Sequence, residues 1–424
     1  MRQFTAFVLV LIAKVAFSQS IEVSLENYPF ISPYQATLSS EGFSSGNERF
    51  DVKGNEYEVS ILVGRPELRY KIWMQEHAAP AIIIIPGFVS HYRGDSALAL
   101  ANLFYQNGFH TITIANPMNY DFSRPALTGG IPGYPPSDTQ DLHRALAAVT
   151  KQLNEKSPGL FQNYNIVGYS SGALYTLFLA ALESQQNEKD RIGFQSYLAI
   201  NPPVDPDYSL SQIDESYRVY KKWSDKEKKA NYLNFVSRIA AIEASKNRKE
   251  QIEMIKSFSD DTLRVAIGST FRLKLAALFQ VAYADGYLDP LFEKGYLKDL
   301  RGTYSSYSRR DFYKSIEDNY DFSRYIHEVV VPYYQFKDPT LDAKTMLFRS
   351  SLYSISDNLR TNPLITVIHN KDDVYMHNSS SLEWLKATLK NKLILFDRGG
   401  HVGNLYMPQV QEKIIQAMRS SRIP

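Results

Sequence analysis

Ala81-Ile82-Ile83-Ile84-Ile85 is apolar on both faces of an extended chain, and Pro80 and Pro86-Gly87 bound it too tightly for a helix of ordinary length. A strand with no face to offer water must lie inside a sheet that is covered on both sides, which is the situation of a central parallel strand. His110 to Ala115 repeats the pattern, and Ser96 to Asn107 between them has helical spacing, so the segment reads as a β-α-β unit. Further apolar strands recur at Tyr164 to Val167, Tyr197 to Ile200, Leu364 to Ile368 and Lys392 to Phe396. Strands alternating with helices predict an α/β fold built on a doubly wound, mostly parallel sheet. Ahead of it, the alternating stretches Phe50-Asp51-Val52, Tyr57-Glu58-Val59 and Leu68 to Met74 suit antiparallel edge strands. Ile21 to Gly46, rich in Ser, Tyr and Pro, reads as an extended lead-in.

Residues 203–355 break the alternation. They are charged, Tyr-rich and helical in period (Glu215 to Leu233, Phe235 to Ala244, Lys246 to Phe258, Phe271 to Ala284), and sheet strands resume on either side. The segment is therefore expected to be a helical cap inserted into one catalytic domain spanning 19–424. A length of 424 residues suits one large α/β domain with such a decoration.

Composition removes several function classes. With Lys plus Arg at 47 and Asp plus Glu at 45, the net charge of +2 gives no field to steer a polyanion, so nucleic acid is not an expected partner. The absence of cysteine excludes disulfides, thiolate metal sites and a cysteine nucleophile. No H-E-x-x-H spacing supports metal-assisted hydrolysis, and no cofactor is expected. Residues 1–18 read as a secretory signal: Arg2 is the charged start, Thr5 to Ala13 the apolar run, and Ala16-Phe17-Ser18 the small-residue cleavage site before Gln19. No later segment reads as a spanning run, so the expected product is exported, periplasmic or extracellular, and carries no stable transmembrane anchor.

Gly168-Tyr169-Ser170-Ser171-Gly172 matches G-x-S-x-G directly after the strand Tyr164 to Val167 and ahead of the helical Ala173 to Leu182. Such a sharp strand-to-helix turn strains the central serine and needs small neighbours two residues away on each side, so Ser170 is the expected nucleophile. The Ser171 N–H, next in the turn, is one expected oxyanion donor. The other is the Phe88 N–H, on the Pro86-Gly87-Phe88 loop that leaves the strand Ala81 to Ile85. His91, Tyr92 and Arg93 farther along this loop read equally as substrate contacts and as cover for the sheet edge.

Among eight histidines, His401 in Gly399-Gly400-His401-Val402-Gly403 follows the last strand on a glycine-flanked loop, as a general base requires. The acid that orients it is expected after the penultimate strand, in His369-Asn370-Lys371-Asp372-Asp373, where either aspartate qualifies.

From Ala81 to the end, apart from the cap, these motifs resemble the α/β-hydrolase superfamily. The paired aspartates, the Gly399 to Gly403 turn, Asn116-Pro117 and Thr139-Gln140-Asp141-Leu142 are similar to its YheT-type branch of esterases and lipases, although Val374 stands where proline is usual. The resemblance implies that the triad acid is Asp373, the fifth residue counted from His369. It also implies an acyl-enzyme on Ser170 and a small-molecule or lipid ester as substrate, with the loop Leu127 to Pro136 and the aromatic cap lining the acyl site. A peptidase or thioesterase using the same triad, and a non-catalytic hydrolase-fold binding protein, are the rival readings; the sequence leaves the oligomeric state open.

Overall fold

β4 (Ala79–Ile85) is buried over its whole length, and its side chains divide between two cores. Ala81, Ile83 and Ile85 enter the core on one face of the sheet, and Ile82 and Ile84 enter the core on the other. Each fully buried isoleucine contributes roughly 1.5–3 kcal/mol relative to exposure, which fixes this strand at the centre. The computed structural model describes residues 19–42, 48–245, 247–284, 286–293, 295, 297 and 309–420. The expected signal at 1–18 lies outside the described residues.

The remaining strands are β1 (Ile21–Val23), β2 (Asn55–Val59), β3 (Leu68–Trp73), β5 (His110–Ile114), β6 (Phe161–Tyr169), β7 (Tyr197–Ile200), β8 (Ile365–Asn370) and β9 (Leu393–Phe396). Among the described residues they form one sheet in the order β1-β9-β8-β7-β6-β4-β5-β3-β2. β2 and β3 pair antiparallel, as do β3 and β5, while every other neighbouring pair is parallel. Helices Asp95–Gln106, Pro135–Lys156, Ser171–Gln185, Ser379–Leu389 and Pro408–Ser420 follow successive strands. This is the α/β-hydrolase arrangement, the fold class expected from the sequence.

Two expectations about the N-terminal region are corrected. The lead-in is not merely extended: β1 adds a parallel edge strand to β9, with Ile21 opposite Ile394, and Pro33–Leu38 is a helix capped by the Ser32 hydroxyl. Phe50-Asp51-Val52 belongs to the helix Glu48–Lys53 rather than to a strand. Phe50 stacks on Trp73 at 4.8 Å, and the Trp73 Nε1–H donates to the Phe50 carbonyl, so tertiary packing outweighs the local alternation.

Between β7 and β8 the described chain is helical, and its long elements are Pro206–Lys222, Asp225–Ala244 and Asp260–Ala284. The expected helix Glu215 to Leu233 is divided at Ser224, whose side chain and Glu227 form a capping box that starts a new helix. Asp260–Tyr283 has the length and the mean hydropathy, 1.3, to cross a membrane, contrary to the expectation that no later segment does. In this fold 61% of its most apolar window is buried. A third core joins this helix to Phe88, Ile131 and Tyr134, so the helical segment packs over the loops that follow β4 and β5.

Candidate active site

Topology decides where a site can form. β5 lies on one side of β4 and β6 on the other, so the winding reverses there, and a crevice opens beyond the carboxyl ends of β4 and β6. Pro86-Gly87-Phe88 leaves the first strand and the Gly168 to Gly172 turn ends the second. That turn is tight enough to require its glycines: a Cβ on Gly168 would lie 2.2 Å from the Gly172 carbonyl oxygen, and one on Gly172 would lie 2.1 Å from the Ile85 oxygen.

Ser170, between them, has φ 57° and ψ −129°, a conformation that costs an L-residue on the order of 1–3 kcal/mol. Its N–H donates to the Ile200 carbonyl at 2.9 Å, and its carbonyl accepts from the Ala173 N–H at 2.9 Å. The bend lifts the hydroxyl into the crevice. There His401 Nε2 is 2.9 Å from Ser170 Oγ, while His401 Nδ1 is 2.9 Å from Asp373 Oδ2. With an ionised carboxylate at Nδ1, that nitrogen carries the proton and Nε2 is left to accept from the serine hydroxyl. The fold thus brings Ser170, His401 and Asp373 together from three loops.

Burial would push the Asp373 carboxyl up, but His401, through its charge and hydrogen bond, holds it below the ordinary carboxylate range. Asn201 Nδ2 also donates to Oδ2 at 2.8 Å, and the Tyr375 and Met376 N–H groups donate to Oδ1 at 3.2 and 3.3 Å. Four donors therefore fix this carboxylate in its ionised form. Asn201, held at φ 49° at the end of β7, was not singled out by the sequence, and its position after an apolar strand was the only available signal. His369, buried directly behind, is pushed down to about 3 by burial and by His377, so it stays neutral; its Nε2 faces the Pro202 carbonyl.

Asp372 points away from the imidazole. Its oxygens accept from the Gly399 N–H at 3.2 Å and the Gly400 N–H at 2.8 Å, which ties the loop carrying His401 to the loop carrying Asp373. The same loop is held from the N-terminal side, where the His401 N–H donates to Thr37 Oγ1 at 2.9 Å and Thr37 Oγ1 donates to the Pro33 carbonyl. Thr37 thus supports the imidazole, a role hidden in a segment without sequence period. Thr37→Val should strand a buried N–H, lower Tm by the equivalent of about 1–3 kcal/mol and reduce activity, whereas Thr37→Ser should restore both. Thermal denaturation and initial rates on the two variants check this.

The expected oxyanion donors flank Ser170. Ser171 opens the helix Ser171–Gln185, so its N–H has no intrahelical partner, and neither this N–H nor that of Phe88 has a hydrogen-bond partner among the described residues. A Cβ on Gly87 would lie 3.2 Å from Ser170 Cβ, which sets the Phe88 loop against the nucleophile. Buried Asn116 joins the two donors, giving Nδ2–H bonds to the Pro86 carbonyl at 2.8 Å and to Ser171 Oγ at 3.1 Å. His91 pairs with Asp121 and Arg93 with Asp51, and His91, Tyr92 and Arg93 stand outside the cavities at Ser170.

Two cavities meet at Ser170. One is a cleft of about 220 Å³ lined by His401 and by a mixture of polar and apolar side chains; the other is an apolar chamber of about 70 Å³ beneath the helical segment. Ser170, Phe88 and Phe271 border both. Gly133 and Pro135, from the loop expected to line the acyl site, border the chamber together with Tyr325. Among the described residues no group of three or more His, Asp or Glu side chains is placed to hold a metal ion.

That loop rests on Asp138. The carboxylate is buried and accepts from the Gly133 N–H and the Tyr175 hydroxyl, each at 2.8 Å, and burial, aided by Asp141, pushes it up to about 7. Tyr325 and Tyr334 close the surroundings, their hydroxyls donating to the Pro132 and Ile131 carbonyls. A raised folded-state value means that the native protein keeps a proton the unfolded chain loses above its ordinary 3.8. The stability linked to this group is full below that value and is lost as pH rises to about 7. Asp138→Asn should remove this dependence, so that the Tm difference between variant and parent shifts in favour of the variant from pH 5 to pH 8.

No family model and no curated protein matches the chain. Among solved structures it is similar to a membrane phospholipase A described as a bacterial virulence factor, at 14% identity and TM-score 0.46 over 92% of this chain and 93% of that one. It is also similar to an esterase of Pyrococcus furiosus, at 8% identity and TM-score 0.45 over 88% and 93% of the two chains. An acylaminoacyl peptidase of Pyrococcus horikoshii is similar at 13% identity and TM-score 0.42, over 88% of this chain and 42% of that one. These likenesses are weak by both measures, and the chemistry of the site rests on its own geometry.

Proposed function

We propose that this chain is a serine hydrolase that cleaves carboxylic esters through an acyl-enzyme on Ser170. The observation that carries the reading is the continuous hydrogen-bonded line from Ser170 Oγ through His401 to Asp373, buried at the topological switch point. In this reaction Ser170 Oγ attacks the acyl carbonyl while His401 Nε2 takes its proton. The oxyanion is received by the Phe88 and Ser171 N–H groups, and Asp373 stabilises the imidazolium. His401 returns the proton to the departing alcohol, then activates the water that releases the acid. Each proton transfer passes through His401 Nε2, with Ser170 Oγ, the departing alcohol and water as its partners, so the reading calls on no cofactor.

Backbone strain favours catalysis over binding alone, since a protein that only bound a ligand would gain nothing from holding serine at φ 57°, where glycine fits better. A kinship with YheT-type esterases and lipases is part of this reading, and what supports it is that two of the segments that carry the resemblance, Asp372-Asp373 and Gly399 to Gly403, meet in the site. Export rests on Arg2, the apolar run after it and Ala16-Phe17-Ser18. N-terminal sequencing of the mature protein should begin at Gln19; a cytoplasmic product beginning at Met1 would refute export. Hydrolysis of p-nitrophenyl acetate tests the activity itself: turnover by the parent is expected, and none by any ester contradicts the reading.

A further inference from the structure

We propose that the substrate is the ester of a short apolar acid with a bulky polar alcohol, its acyl group in the apolar chamber and its alcohol in the wider, mixed cleft that holds His401. The assignment rests on the serine-hydrolase reading above and adds to it the direction in which the ester lies. In the first step the bond from Ser170 Oγ to the acyl carbon forms, the bond from that carbon to the alcohol oxygen breaks, and His401 Nε2 supplies the alcohol's proton. Water then forms the new bond to the acyl carbon, the bond from that carbon to Ser170 Oγ breaks, and the proton the water gives up through His401 returns to Ser170 Oγ. The leaving oxygen must therefore stand on the imidazole side of Ser170, and the carbonyl oxygen must face the Ser171 N–H.

The two cavities are distinguished by these groups. His401 lines the cleft and not the chamber, whereas Ser171 lines the chamber and not the cleft. The direction of proton transfer thus sends the alcohol into the cleft and the acyl chain into the chamber. Their linings agree with that division. Met118, Leu174, Ile213, Leu278, Ile326 and Met376 surround the chamber, while in the cleft Ser90, Ser96, Thr270, Asp95 and Lys274 set hydroxyls and both signs of charge among apolar side chains such as Leu38, Ile267 and Val402. Donors and acceptors interspersed with apolar side chains suit a sugar-like polyhydroxy alcohol, which presents hydroxyls and C–H faces together, better than an aliphatic one.

Size sets the chain length. A cavity of about 150 Å³ holds a benzene ring. The chamber has about 70 Å³, under half of that, whereas the cleft has about 220 Å³. The acyl group that fits is therefore short, about two to four carbons by this comparison.

The test uses the full chain, p-nitrophenyl esters from acetyl to octanoyl, and acetyl esters of ethanol, glycerol and a hexose. Fluorophosphonate labelling of Ser170 is run in parallel. The parent should show its highest kcat/KM at two to four acyl carbons, with at least a tenfold fall at octanoyl, and should prefer the hexose acetate to ethyl acetate. Ile213→Ala, or the milder Leu278→Val should the former fold poorly, should move the acyl optimum to longer chains without changing the preference among alcohols. Thr270→Val should lower kcat/KM on the hexose acetate and leave the acyl profile alone. A parent that labels at Ser170 but favours octanoyl, or an Ile213 variant that alters alcohol preference, overturns the assignment and leaves the hydrolase reading standing. Failure to label at Ser170 overturns both.

Discussion

Ser170→Ala is expected to lower ester hydrolysis by about 10³-fold or more while leaving Tm within a degree or two of the parent. The large effect follows from the hydroxyl's position, because among the described residues Ser170 Oγ is the hydroxyl hydrogen-bonded to His401 Nε2, at 2.9 Å. The small one follows from the backbone: alanine bears the same Cβ as serine and inherits the same strain at φ 57°. Ser170→Gly separates these two consequences. It should be equally inactive yet unfold at a higher temperature than Ser170→Ala, by the equivalent of about 1 kcal/mol, because glycine adopts that conformation without strain. Rates on p-nitrophenyl acetate and thermal scans of the three proteins check both parts, and retained activity in either variant would move the nucleophile elsewhere.

Asp373→Asn should lower kcat by about 10⁴-fold, with KM little changed. An amide at this position presents an N–H to His401 Nδ1, which then becomes the acceptor and shifts the imidazole proton to Nε2, the atom that must take the proton of Ser170. Asp372→Asn should behave differently. Its side chain reaches the Gly399 and Gly400 N–H groups and not the imidazole, and asparagine keeps one acceptor oxygen for the two donors. The expected cost is about 1–3 kcal/mol of stability and about tenfold or less in kcat. If the Asp372 variant is the crippled one, the acid lies one residue earlier than the geometry indicates. If neither loses activity, the carboxylate does not orient His401 at all.

How far the sequence discloses this site depends on whether a residue's role is local. Ser170 is legible because its turn needs glycines at fixed offsets between a strand and a helix, and His401 because a glycine-flanked histidine follows the last strand. The parallel strands are legible because burial on both faces leaves no polar positions, as in Ala81 to Ile85. Asn201, Asn116 and Thr37 are not, since each acts through a contact 30 to 364 residues away along the chain. Nothing in their immediate neighbours marks them. The choice between Asp372 and Asp373 lies between these cases: the sequence narrows it to two adjacent carboxylates, and only the approach of the Gly399-Gly400 loop distinguishes the one that meets the imidazole from the one that meets the backbone. Phe50-Asp51-Val52 misleads for the opposite reason, a local alternation overruled by stacking on Trp73.

The most direct test of the central claim is a fluorophosphonate reaction followed by peptide mapping of the adduct. The phosphorus takes the place of the acyl carbon, so reaction requires an activated hydroxyl and donors for its oxygen at one point. A single adduct on Ser170 in the parent is the predicted result, with Ser170→Ala unlabelled and Asp373→Asn labelled far more slowly. A parent that is not labelled, or that carries its adduct on another residue, would contradict the claim.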